Sequence, residues 1–232
     1  MSEIALRRRE PVAEGTFAFY FDKPADFSHE AGQNAMFTLI EPAEDDAAGP
    51  MRPFTIASAP HEPELMVATR MRDSAFKRTL GALPLGAKVH IDGPAGLMTL
   101  HEDASRPAVF LAGGIGITPF LAMLRDAAKR RLPHDIVLFY SNRRPEFAAF
   151  LPELERLPKP NYRLVATMTD APEWKGEKRL ISRELLAAHV PELRAPVYYF
   201  AGPPAMTMAM QGMLTELGVK EEDMRSEEFY GY

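Results

Sequence analysis

Val109-Phe-Leu-Ala-Gly-Gly-Ile-Gly-Ile-Thr-Pro119 decides how the rest of this chain is read. Val109 to Ala112 are four apolar residues suited to a buried parallel strand, and they run into a turn carrying Gly113, Gly114 and Gly116. Thr118-Pro119 then opens a helix. Threonine is a good N-cap, and proline suits the first helical position because its missing N–H has no partner there anyway. A helix start reached through glycines presents amide donors and a partial positive charge, which suits the pyrophosphate of a dinucleotide. The spacing is not the Gly-x-Gly-x-x-Gly of the dinucleotide fingerprint, so the stretch alone names no ligand.

Downstream the strand–helix alternation continues. A helix is expected near 119–131, with Phe120, Leu121, Leu124 and Ala128 on one face. Strand Ile136–Ser141, a helix over Glu146–Leu157, strand Tyr162–Met168 and a helix over Ser182–His189 follow. Strand Pro196–Ala201 leads through Gly202-Pro203-Pro204 to a helix ending near Gly218. Such a pattern predicts a parallel α/β sheet with its ligands at the C-terminal strand ends.

Upstream the texture differs. Thr16–Phe21, Ala35–Ile40, Arg52–Ala57, Leu65–Arg70 and Lys88–Asp92 are short β-prone runs. Between them lie Gly32, the acidic Glu44-Asp45-Asp46 loop, Pro50, Pro60 and Gly93-Pro94. That rhythm predicts an antiparallel barrel or sandwich. One helix interrupts it, from Ala75 to about Leu83, with Ser74 as its cap and Phe76, Leu80 and Leu83 on one face. The expected organisation is therefore an antiparallel β-barrel over 1–104, followed by an α/β nucleotide-binding unit over 105–232.

Composition narrows the chemistry. With 46% hydrophobic and 25% charged residues, the 232-residue chain reads as an ordinary soluble protein of one large or two small domains. No apolar run is long enough for a membrane span, and MSEIALRRRE lacks a signal-peptide core, so a cytoplasmic location is expected. Arg7-Arg8-Arg9 reads as the solvated start of a strand. The net charge of −5 and the absence of a basic, aromatic-laced stripe argue against nucleic acid. There is no cysteine, which excludes a disulfide, a thiolate nucleophile or a cysteine-ligated iron–sulfur cluster within these residues. The six histidines (29, 61, 90, 101, 134 and 189) show no metal-ligand spacing and are assigned to surfaces and turns.

Four motifs occur in order: Arg52-Pro53-Phe54-Thr55, the Gly113–Pro119 turn, Ala201-Gly202-Pro203-Pro204-Ala205-Met206, and Glu228-Phe229-Tyr230-Gly231-Tyr232. Together, and over essentially the whole chain, they resemble the ferredoxin–NADP reductase superfamily of flavoproteins. The resemblance implies an FAD-dependent NAD(P)H oxidoreductase, with FMN left open. It gives Arg52 the flavin phosphates, for which a guanidinium fork is well matched. Pro53 and Phe54 fall in the same strand; Phe54 stands where the family usually has tyrosine, keeping the ring contact without the hydroxyl. Thr55 matches the residue whose hydroxyl reaches the flavin N5 edge. Ala68-Thr69-Arg70 would run along the pyrimidine edge of the ring. Ser74-Ala75-Phe76-Lys77 falls on the family's phosphate segment, departing from its usual Gly-x-x-Ser.

On the nucleotide side the resemblance assigns Gly113, Gly114, Gly116, Thr118 and Pro119 to the pyrophosphate, and Gly202, Pro203 and Met206 to the nicotinamide end. Ala201 replaces a cysteine frequent in the family. Ser141 and Arg143, at the next strand tip, are expected to read the ribose 2′ position; with no carboxylate immediately following, they lean towards NADPH over NADH. The tail places Glu228 and Phe229 at the ring, Glu228 sharing with Thr55 the reactive edge, and gives Tyr232 the part of a ring cover. Trp174-Lys-Gly176 is assigned to loop packing. The implied acceptor is separate: a ferredoxin, a flavodoxin, an oxygenase partner or a small oxidant. A free-flavin or quinone reductase, and a flavin-binding electron-transfer subunit of a larger oxygenase complex, remain as alternatives.

Overall fold

A computed structural model of the chain describes residues 1–40, 42, 46 and 48–229. The first half is one six-stranded antiparallel sheet: β1 (Ser2–Ala13), β2 (Thr16–Asp22), β3 (Asn34–Leu39), β4 (Met51–Thr55), β5 (Glu64–Arg70) and β6 (Lys88–Ala95). Its strand order is β4-β3-β6-β1-β2-β5. The sheet curls until the chain leaving β4 meets β5, with the Ala57 N–H donating to the Met66 carbonyl at 2.7 Å. Ile4, Leu6, Phe19, Phe21, Phe37, Val67 and Ile91 fill the inside.

Helix α1 (Ala75–Ala82) closes one end of that core. Ser74 caps it as the sequence predicts, its hydroxyl accepting from the Lys77 N–H at 3.3 Å. Phe76 and Leu80 face inward, and the Phe76 ring lies 5.9 Å from Phe54. Burying one such ring stabilises the fold by about 2 kcal/mol, more than the whole capping contribution.

Strand β1 begins earlier and runs longer than expected. Arg7, Arg8 and Arg9 lie in its middle, not at a strand start: β1 pairs with β6 through Ser2–Ala5 and with β2 from Leu6 onward. Their side chains are solvated, as foreseen, and tied at the surface. Arg7 donates to Asp22, Arg8 donates to Glu64 and stacks on Tyr20, and Arg9 donates to the Leu83 carbonyl.

The second half is a five-stranded parallel sheet: β7 (Ala108–Gly113), β8 (Ile136–Asn142), β9 (Tyr162–Met168), β10 (Val197–Gly202) and β11 (Met224–Glu228). It carries α2 (Thr118–Arg130), α3 (Leu151–Glu155), α4 (Arg183–His189) and α5 (Pro204–Glu216). The strand order β11-β10-β7-β8-β9 reverses direction between β7 and β10. Open parallel sheets bind their ligands outside the C-terminal ends of the strands at such a switch point. Alternate residues explain the apolar runs. Phe110, Leu138, Tyr140 and Tyr199 pack on one face, Leu111, Phe139, Tyr198 and Phe200 on the other.

Two helical expectations need correction. The stretch Glu146–Leu157 is broken: a 3-10 turn at Pro145–Phe147 precedes α3, and Phe150 between them adopts φ 61°. Thr118 is not an N-cap but the first residue of α2. A 3-10 turn over Gly114–Ile117 comes first, and the Thr118 hydroxyl donates to the Ile115 carbonyl at 3.1 Å. Gly114, at φ 53°, permits that tighter turn.

The two halves share a core. Ala18, Tyr20, Met66 and Ala68 of the barrel pack in one cluster with Phe110, Phe120 and Tyr199. Arg125 of α2 crosses the junction, donating to Glu153 at 2.6 and 2.8 Å and to Glu62 of the barrel at 3.3 Å. Among the described residues no helix is long and apolar enough to cross a membrane.

Candidate active site

The seam between the halves holds a cavity of about 660 Å3. Strand β4 contributes Arg52, Pro53, Phe54 and Thr55; the end of β5 contributes Ala68, Thr69 and Arg70. Arg72, Asp73, Ser74 and Lys77 enter around the start of α1, Ile115 from the glycine turn, Glu227 and Glu228 from β11, and Phe229 from just beyond it. Phe76 is different: its ring is buried in the barrel core and does not line the cavity, and its backbone N–H donates to Asp46. Ala75 is half-buried beside it and does not line the cavity.

One end of the cavity is cationic. Arg52, Arg70, Arg72 and Lys77 all line it. Burial and those three arginines hold the Lys77 ammonium below the ordinary lysine range. Lys77 donates to the Arg70 carbonyl at 2.8 Å. Arg52 donates to the Gly49 and Met51 carbonyls at 2.8 and 2.6 Å and pairs with Asp46 at 2.8 Å. Asp73 also lines this end, so four cations stand against one carboxylate and leave it net positive beside a helix start, a setting that favours an anion.

The other end carries a carboxyl–hydroxyl pair. The Thr55 hydroxyl lies 3.4 Å from Glu227 Oε2, and the Asn34 amide donates to Glu227 Oε1 at 3.0 Å. Burial pushes the Glu227 carboxyl above the ordinary glutamate range, against the lowering by Asn34 and Thr55. The carboxylate reaching Thr55 is thus Glu227, where the sequence pointed to Glu228. Side chains alternate across a strand, so neighbouring glutamates face opposite ways. The pairing of Ala201 with Glu227 turns that residue to the barrel, while Glu228, exposed, lies 3.3 Å from the Thr207 hydroxyl of α5. Phe229 continues the strand, its N–H donating to the Gly202 carbonyl at 3.0 Å. Tyr232 lies outside the described residues.

A raised carboxyl has a readable consequence. The charged form of Glu227 is disfavoured by folding, so its contribution to stability is present at acid pH and lost as pH rises through its folded value. Glu227→Gln removes the charge and keeps the shape. We expect it to raise the melting temperature at pH 8 by about 2–4 °C, equivalent to about 1 kcal/mol, with no gain at pH 4. Equal shifts at both pH values, measured by thermal unfolding, would show that the carboxyl is not strained there.

A second cavity of about 260 Å3 adjoins the first, sharing Arg70 and Ile115 with it. Gly113, Gly114, Ser141, Arg143, Pro203 and Met206 line it. Thr118, Pro119, Gly116 and Gly202 do not. Thr118 and Pro119 are buried in the first turn of α2, and the two glycines act by close packing. A Cβ on Gly116 would stand 2.3 Å from the Ala201 carbonyl oxygen, and one on Gly202 would stand 3.2 Å from the Gly113 Cα. These residues let the ends of β7 and β10 meet. Ala201 is fully buried and lines neither cavity.

Asp170 was not foreseen. Both Arg143 and Arg144 lie 3.4 Å from its Oδ2, and its N–H donates to the Arg143 carbonyl at 2.8 Å. It stands just past the end of β9, twenty-odd residues beyond the arginines in sequence yet beside them in space, because β8 and β9 are parallel neighbours. The histidine assignment also changes. His29, His101 and His134 are buried, bonded respectively to the carbonyl of Ser58, the hydroxyl of Tyr199 and the carbonyl of His101. Trp174 packs over Gly176, as expected of that loop.

Residues 110–212 match the oxidoreductase NAD-binding domain family. The chain is 30% identical over 206 residues to ferredoxin–NADP reductase B of Sorangium cellulosum, covering 87% of this chain and 81% of that protein. It is 28% identical over 230 residues to reductase component 2 of the terephthalate 1,2-dioxygenase of Comamonas, covering 97% of this chain and spanning 63% of that relative's length. Among solved structures, a ferredoxin NADP+ reductase from Neisseria gonorrhoeae with bound FAD and NADP superposes with a TM-score of 0.83 at 20% identity, covering 98% of both chains. At that identity the superposition speaks for the fold.

Proposed function

Because this chain belongs to the ferredoxin–NADP reductase family, we propose that it is an NAD(P)H oxidoreductase that binds FAD in the seam and passes electrons to a separate acceptor. The observation that carries this reading is the polarity of one cavity: four cations at one end, an aromatic-lined carboxyl–hydroxyl pair at the other. A flavin nucleotide has that polarity, with phosphates at one end and a reactive ring at the other. On this reading residues 1–104 form the FAD unit and 105–232 the NAD(P) unit.

The bound flavin would supply two-electron acceptance from nicotinamide and one-electron release. The chain's own residues do the rest. Arg52 and the first amides of α1 would hold phosphate oxygens, and Phe54 and Phe229 would flank the ring. Ala68, Thr69 and Arg70 would follow its edge. Thr55 offers a hydroxyl that can donate or accept, and Glu227, with its carboxyl pushed towards the protonated form, can hold a proton 3.4 Å away. The 260 Å3 cavity, glycine-floored at the switch point, would take the nicotinamide nucleotide.

For the choice of nucleotide, Asp170 favours NADH over the NADPH lean that Ser141 and Arg143 gave. A carboxylate beside the tip of β8, here supplied from the end of β9, can accept from a ribose 2′-hydroxyl and repels a 2′-phosphate. It also neutralises the two arginines that a phosphate would seek. Asp170→Asn is expected to raise the NADPH-to-NADH ratio of kcat/KM by about 10-fold or more. An unchanged ratio in steady-state assays would remove Asp170 from the selection.

The cationic rim favours an acidic one-electron carrier, a ferredoxin or flavodoxin, over a small neutral oxidant. Of Arg7, Arg8, Arg9, Arg70, Arg72, Lys77 and Arg78, the basic residues that bear on this choice, Arg70, Arg72 and Lys77 line the seam and the other four do not. The test is reduction of several acidic carriers at rising ionic strength. A rate that falls with salt supports the reading; a rate insensitive to salt, matched by free quinones, favours a small-molecule reductase.

A further inference from the structure

We propose that Asp46 is an internal counter-anion, seated on the very donors a flavin phosphate needs and displaced when flavin binds. The inference rests on the reading that flavin phosphates occupy the cationic end of the seam. Asp46 belongs to the acidic loop between β3 and β4, yet its carboxylate reaches thirty residues along the chain. Its Oδ2 accepts from the Phe76 N–H at 3.0 Å and lies 2.8 Å from the Arg52 guanidinium; its Oδ1 accepts from the Ala48 N–H at 2.9 Å. Only 14% of the side chain is exposed.

Those two donors are specific. The amides in the first turn of a helix have no partner within the helix. In α1 Ser74 satisfies the Lys77 N–H, and the first turn holds no acidic residue of its own. Asp46 therefore supplies the negative charge that this helix start and Arg52 both favour. A phosphate oxygen would use the same guanidinium fork and the same amide. Two anions cannot share them, so a phosphorylated flavin must exchange with the carboxylate. A flavin without phosphate has no such exchange to make.

That difference gives the test. Dissociation constants for FAD, FMN and riboflavin are measured by fluorescence for the wild-type chain, Asp46→Asn and Asp46→Ala, with folding checked by thermal unfolding. FAD and FMN should bind about 10-fold to 100-fold more tightly to both variants, the worth of a charged hydrogen bond, while riboflavin changes by less than about 2-fold. In the wild-type chain, inorganic pyrophosphate should shift the Phe76 amide resonance as it replaces the carboxylate. Unchanged or weaker FAD binding to the folded variants would overturn the proposal. So would an equal gain for riboflavin, or a Phe76 amide indifferent to pyrophosphate. A wild-type chain and variants that all refuse every flavin would instead bring down the flavin reading itself.

Discussion

Replacing Arg52 by alanine is expected to weaken flavin binding by about 100-fold to 1,000-fold while leaving the fold intact. The side chain sits on β4, near the edge of the barrel sheet, and is part of none of the three hydrophobic clusters. Its guanidinium satisfies the Gly49 and Met51 carbonyls and Asp46, so it is held in one place before any ligand arrives. A planar fork presents two parallel donors to phosphate oxygens, and each charged hydrogen bond is worth about 1.5–3 kcal/mol. Lysine keeps the charge and loses the fork, so Arg52→Lys should fall between the two. Equilibrium dialysis against FAD measures this directly. Full occupancy in the alanine variant would take Arg52 out of the site, whatever the cavity's charge.

The second large effect concerns the nucleotide turn. Gly116→Ala should lower the rate of reduction by NADH by about 100-fold, with flavin binding kept. The added methyl would stand 2.3 Å from the Ala201 carbonyl oxygen and 2.7 Å from the Gly202 nitrogen. Both are backbone atoms, so no side chain can swing aside, and the ends of β7 and β10 must part. A misplacement of about 1 Å at a reacting centre costs on the order of 10²-fold. Some stability should go as well, about 1–3 kcal/mol for an overpacked site. Gly212→Ala is the control: nothing lies within 4 Å of its Cβ position in α5, and alanine there should be neutral or stabilising. Stopped-flow reduction and thermal unfolding of the two variants separate the effects.

Much of this was legible in the sequence where local chemistry and long-range order agree. The apolar run into Gly113 and Gly114 suited a buried strand entering a tight turn, and Ser74 suited the cap of the helix that followed it. Where residues answer to distant partners, the sequence was silent. Three consecutive arginines erased the alternation that would have marked β1, because its middle pairs at the surface with Asp22 and Glu64. Thr118 looked like a cap, but Gly114 allowed an earlier turn and left the hydroxyl to bond Ile115.

The site shows the same division. Arg52, Phe54 and Thr55 share a short strand, so finding one located the others. Glu227 and Glu228 could not be told apart without the register of β11 on β10, since a one-residue slip exchanges the faces of a strand. Asp170 and Asp46 reach their arginines only through the pairing of β9 beside β8 and the contact of Asp46 with the start of α1. Ion pairs of that kind leave no periodic trace in the chain.

On the proposed reading, one flavin lies in the seam with its reactive edge open to a reduced nicotinamide. Rapid mixing of the FAD-reconstituted chain with NADH under anaerobic conditions, followed by flavin absorbance, tests it most directly. FAD is expected to stay with the protein through gel filtration, and its absorbance to bleach in a single mixing. A folded protein that elutes colourless after incubation with FAD or FMN, or whose bound flavin is bleached by neither NADH nor NADPH, would contradict it.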